Sequence, residues 1–152
     1  MLHKVSLRGL WRDRKGSSLV ELALLSPVIM LLFCATTDFA RVVYAGISVA
    51  NAARAGVQYG ALTPGNSGDT AGMKQAALAD AADLSNVTAT AGNFCSCDGG
   101  VSEVDCSGTT CSGSAPSGYV SVTANYTFDT LIPWPGVPQQ IILARTAKMR
   151  AQ

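Results

Sequence analysis

The chain has 152 residues, nearly half of them apolar, and a formal net charge of +1. That length fits one domain with an appendage better than two domains. With a single histidine, His3, near the start, Ser-His-Asp and Cys-His catalysis have no partners to assemble. The charge is uneven: five basic residues and one acid precede Gly16, while six basic residues and nine acids follow it.

Residues 1–16 (MLHKVSLRGLWRDRKG) show no sustained periodicity and read as a basic leader. Because a hydrophobic block follows directly and no basic patch interleaved with aromatics occurs later, the leader does not read as a nucleic-acid arm. The positive-inside rule places it in the cytoplasm. Residues 17–37 (SSLVELALLSPVIMLLFCATT) carry one charge, Glu21, and match the ~20 residues that cross a hydrocarbon core as helix. Pro27 lies inside this run, where a membrane helix tolerates it and bends. Residues 38–60 continue the helical pattern with an apolar stripe of Phe39, Val42, Val43, Ile47, Ala50, Ala53 and Val57. A helix over 17–60 would be about 65 Å long, twice a bilayer, so its amphipathic second half is expected to pack on the rest of the chain.

Residues 61–69 are a turn-rich break, and 70–84 read as a short alanine-rich helix. Strands are expected over 86–92, over 119–128, where Val120, Val122, Ala124, Tyr126 and Phe128 share a face, and over 139–150, with Ile142, Ala144 and Thr146 on one side. The whole predicts an α+β fold: a long N-terminal transmembrane and amphipathic helix packed on a small antiparallel sheet, with a short second helix. Residues 61–152 form the domain outside the membrane. No phosphate-binding glycine loop occurs, and Asp80 and Asp83, sharing a helix face, read as a solvated surface. No cofactor and no enzymatic activity are expected.

Cys95, Cys97, Cys106 and Cys111 crowd into the loop 93–118. Four thiolates can bind zinc, but the spacing is not a pair of Cys-x-x-Cys knuckles, and the pattern reads as two disulfides in an oxidising compartment. A Cys95–Cys97 bridge would be strained, so each is expected to pair with Cys106 or Cys111, in either arrangement. Cys34 reads as a packing residue of the membrane helix.

Glu21 needs a reason, since a carboxylate in hydrocarbon costs on the order of 3 kcal/mol at the bilayer centre unless paired. One reading puts it at headgroup depth in the first helical turns, where the helix dipole favours an anion. The other begins with cleavage after Gly16. The new α-ammonium of Ser17 would then be answered by the Glu21 carboxylate in the same chain or a neighbour, giving adjacent helices an ionic registration point.

The stretch KGSSLVELALLSPVIMLLF resembles the class III signal of type IV pilin-like proteins, and specifically of TadE-like proteins. That pattern is a glycine, small residues, Val-Glu, then an aliphatic run with a proline. The segment ISVANAARAGVQYGA (47–61) is similar to the family's Asn-Ala-Ala-Arg-x-Gly stretch, and the late cysteines and Ala147-Lys148-Met149-Arg150 are also similar. Leu22 stands where many members carry an aromatic. The resemblance implies a minor pilin or pseudopilin that assists assembly of a tight-adherence (Flp) pilus. It implies the bacterial inner membrane, an N-terminus in the cytoplasm and a C-terminal domain in the periplasm, or outside the cell in a fibre. The implied partners are the membrane, other pilin-like subunits, the assembly platform and a prepilin peptidase cutting between Gly16 and Ser17. The alternative is a signal-anchored periplasmic binding or sensor domain left uncut at Gly16.

Overall fold

The computed structural model describes residues 17–151. Helix α1 (Ser17–Ala61) is followed by a 3-10 turn (Asn66–Gly68), helix α2 (Thr70–Asp80) and strands β1 (Thr88–Ser96), β2 (Ser117–Asp129) and β3 (Gln140–Arg150). The fold is α+β, as expected. The chain divides into two compact units, the first ending at Phe39 and the second running Ala40–Gln152.

In the first unit, every large apolar side chain from Leu19 to Phe33 is exposed. The helix runs through Pro27 without a break. Proline has no N–H to give the carbonyl four residues back. The Ser26 hydroxyl donates to that carbonyl, Ala23 O, at 3.3 Å. Thr36 and Thr37 likewise donate to the Phe33 carbonyl at 2.9 and 2.8 Å. The hydroxyls of this apolar stretch are thus satisfied inside the helix, as a water-free medium requires.

In the second unit, a three-stranded antiparallel sheet has the order β1-β2-β3. Its register sets Phe94 opposite Tyr119 and Val122 opposite Ala147. Val120, Val122, Ala124 and Phe128 of β2 are buried, as the alternation predicts, with Tyr126 half-buried. They meet a line of small residues on α1: Val49, Ala52, Ala53 and Val57. Two glycines let the layers close. A Cβ on Gly56 would stand 2.9 Å from the Met73 carbonyl of α2 and 3.0 Å from Val122, and one on Gly60 would run into the Met73 thioether. Met73 itself is fully buried.

Several expectations shift. The large residues of the expected α1 stripe point outward: Phe39 is 70% exposed and Ile47 56%. The buried line is rotated toward the alanines and glycines, because only small side chains allow a helix this close to sheet and second helix. Of the expected stripe, Ala53 and Val57 are in the core. On β3, Ile142, Ala144 and Thr146 do share a side, but it is the outer one, where Thr146 bonds Thr123 at 2.8 Å and Ile142 is 73% exposed. The half-buried residues are Ile141, Leu143 and Ala147.

Helix α2 ends at Asp80, four residues short of the expected end, so Asp83 lies off the helix. There it accepts the Tyr44 hydroxyl at 2.7 Å. The turn lets Leu84 and Val87 pack on the Ala52–Ala53 cluster. Asn86, in the left-handed region at φ 66°, then reverses the chain into β1. Strand β1 extends to Ser96 and β2 begins at Ser117, which draws both ends of the expected 93–118 loop into the sheet. The stacked rings of Phe94 and Tyr119, 5.6 Å apart, support that extension.

Candidate functional site

The residues singled out by sequence fall in two places. Glu21 lies in the exposed, apolar part of α1, and Pro27 lies two turns further on. Gly16 and the basic leader lie outside the described residues, as does the side chain of Ser17. Between Glu21 and Asp38 no charged residue interrupts the helix. The helix is long and apolar enough to cross a membrane. Cys34 is half-buried and free.

The second place is the cysteine loop. Cys95 pairs with Cys106 and Cys97 with Cys111, with Cα–Cα distances of 5.1 and 5.4 Å. The two rings interleave, spanning 11 and 14 residues. All four sulfurs are bonded to one another, so none remains as a thiolate ligand. By the chain-entropy relation each ring stabilises by roughly 3 kcal/mol.

Inside these rings Asp98 organises the backbone. One of its oxygens accepts the Ser96 hydroxyl at 2.7 Å and the Ser102 N–H at 2.9 Å, and the other accepts the Ser102 hydroxyl at 2.6 Å. The Ser102 hydroxyl, then that of Ser96 and the Ser102 N–H, hold the Asp98 carboxyl far below the usual carboxylate range. The Ser107 N–H and hydroxyl lower Asp105 in the same way. The loop is therefore held by ionised aspartates as well as by sulfur. Its inner end meets the sheet where Lys148 stands over the Phe94 ring at 4.7 Å and faces Glu103 at 3.7 Å.

A third feature, which sequence reasoning missed, is how α1 is tied to α2. Asp69 caps α2 by accepting the Gly72 N–H at 2.8 Å, and it also accepts the Tyr59 hydroxyl of α1 at 2.9 Å. The Gly72 N–H, and then the Tyr59 hydroxyl, lower the Asp69 carboxyl, while Asp69 raises Tyr59. An aspartate just before an alanine-rich run was the available signal.

The Asn-Ala-Ala-Arg-x-Gly stretch divides by face. Ala52, Ala53 and Gly56 are in the core, whereas Asn51 and Arg54 face out and bond each other at 3.3 Å. The family model for TadE-like proteins matches residues 16–58. This N-terminal segment is TadE-like. No curated protein and no solved structure gives a match. The TadE-like segment takes in Gly16, Glu21, Pro27 and the Asn51–Gly56 stretch, and it ends just before Tyr59. It therefore combines an apolar, outward-facing helical run with the small-residue face that carries the sheet. The sheet and the disulfide loop lie beyond the matched residues.

Proposed function

We propose that the chain is a pilin-like subunit of a tight-adherence pilus system, anchored in the bacterial inner membrane by α1 and acting in assembly rather than catalysis. The observation that carries this reading is the exposed apolar run from Leu19 to Phe33, broken by one carboxylate, in a segment that matches the TadE-like model. Exposed leucines over several turns are unfavourable in water, by roughly 1.5–3 kcal/mol for each large side chain relative to burial. Lipid or neighbouring helices remove that cost. The basic leader fits the cytoplasmic side, and the disulfides fit an oxidising compartment beyond the membrane.

In this reading a prepilin peptidase cuts between Gly16 and Ser17. The α-ammonium of Ser17 then compensates Glu21, in the same chain or in a neighbour, so helices packed side by side gain a fixed axial register. Pro27 bends the helix within that packed layer.

Intact-mass measurement of the protein from native membranes, with and without a co-expressed prepilin peptidase, tests the cut. The expected product begins at Ser17. A chain that keeps its leader under both conditions overturns processing and favours an anchored binding domain. Glu21→Leu tests registration: crosslinking to partner subunits and piliation are expected to fall while the thermal midpoint stays. Unchanged piliation and crosslinking would remove any role for Glu21.

A further inference from the structure

Strand β3 is at the edge of the sheet, and among the described residues no strand pairs with its outer side. The opposite edge is treated differently. At β1 the Val104 N–H donates to the Cys95 carbonyl at 2.8 Å, and the Cys95–Cys106 bond holds that loop in place. Along β3, α1 and the strand line two open grooves. One, of about 510 Å³, lies between Val43, Ile47, Ala50 and Arg54 of α1 and Leu143 and Arg145 of β3. The other, of about 500 Å³, lies between Gln58 and Leu62 of α1 and Met149 and Arg150 of β3. Both are lined on one side by the edge strand β3, beyond which one more strand would lie at about 4.8 Å.

The chemistry of this seam is specific. Its floor is apolar, with Val43 44% and Ile47 56% exposed. Its charges are all basic. Arg54 bonds Asn51 and Arg145 donates to the Ala144 carbonyl, and neither meets a carboxylate among the described residues. Arg150 lies at the far end. A second copy docked edge to edge would set this basic strand against itself, which disfavours self-pairing.

We propose that the β3 edge and the adjoining face of α1 form a strand-addition site for an extended segment of another protein, apolar on one face and carrying carboxylates that meet Arg54 and Arg145. The added strand takes backbone hydrogen bonds from β3, and its inward side chains cover Val43 and Ile47. The site lies wholly in the second unit and does not depend on membrane insertion or on cleavage at Gly16.

The test uses the full chain in nanodiscs of zwitterionic lipid. The probe is a short dye-labelled peptide alternating valine with glutamate and threonine, and fluorescence anisotropy reports binding. Three controls accompany it: a lysine-for-glutamate peptide, a backbone N-methylated peptide, and the charge-reversed protein R54E/R145E. Saturable binding of the acidic peptide is expected, with the lysine peptide weaker by about tenfold or more. The N-methylated peptide is expected to lose binding, and R54E/R145E to invert the charge preference. The wild-type peptide comparison needs no variant, and R54Q/R145Q offers a milder one. No saturable binding, equal binding of both charges, or undiminished binding of the N-methylated peptide would each overturn the proposal. Dimers of the peptide-free chain that the peptide dissociates would assign the seam to a second copy and overturn it too.

Discussion

The two stretches of α1 treat side-chain size in opposite ways. From Leu19 to Phe33 the large apolar residues are exposed among the described residues, whereas from Ala45 to Ala61 the buried line is made of alanine, valine and glycine. In the second stretch the larger Ile47 is exposed, as is Tyr44 just before it. Hydrophobicity alone would bury Ile47 before Ala52. Here close approach decides instead: the sheet and α2 reach α1 only where the side chains are small. One continuous helix thus serves as an apolar rod at one end and a closely packed platform at the other.

The sharpest way to break this contrast is to enlarge the platform. Gly60→Leu would drive a side chain into the buried Met73 and Val120. Overpacking of this kind costs about 1–3 kcal/mol or more. The full chain in detergent is expected to lose its cooperative thermal transition or shift it well downward. An unchanged melt would show that the helix and sheet do not meet this closely.

Next in size is the sulfur framework. Replacing Cys97 and Cys111 by serine opens the longer ring and should cost roughly 2–4 kcal/mol, read as a lower denaturant midpoint that added reductant lowers further. The apolar half of α1 should keep its helical signal throughout.

Acid gives a smaller effect of fixed sign. Asp69, Asp98 and Asp105 all have folded-state values below the ordinary 3.8. Their stabilisation is present above that value and is lost as pH falls below it toward the lowered folded-state values. The melting temperature should hold on the neutral side and decline below about pH 4, and Asp98→Asn should flatten the decline. A melt that rises on acidification would contradict the hydrogen-bond assignments around Asp98.

The smallest change is expected at Ile47→Ser. Because that side chain is exposed, stability should stay within about 0.5 kcal/mol, although Ile47 is the larger and more hydrophobic residue. A large loss there would show that the stripe of large residues, rather than the alanine line, carries the sheet.

Much of this was legible in residue order. The apolar run with one carboxylate, the break after Gly60, the alternation of Val120 to Phe128 and the oxidised state of the four late cysteines each follow from local composition. What was not legible depends on contacts across the chain. Which face of α1 is buried depends on Gly56 and Gly60 meeting Met73, a residue more than ten positions away. The pairing of Cys95 with Cys106 depends on where β1 ends, which Phe94 settles through Tyr119. The outward side of Ile142 depends on register, and a one-residue slip would turn it inward. Of the residues expected at the N-terminus, the structure gives Glu21 and Pro27 their helical setting, while Gly16 lies before the described residues.

The hydroxyl of Ser26 gives Pro27 a further property. A carbonyl bonded by a rotatable side chain can be released by a single torsional swing, unlike one locked by the peptide ladder. Ala23 O, which Pro27 cannot reach through the peptide ladder, takes its side-chain bond from Ser26 in this way. An uncovered oxygen in an apolar medium is costly, so the Ser26 hydroxyl is what lets this carbonyl sit at the height of the proline without an unsatisfied lone pair.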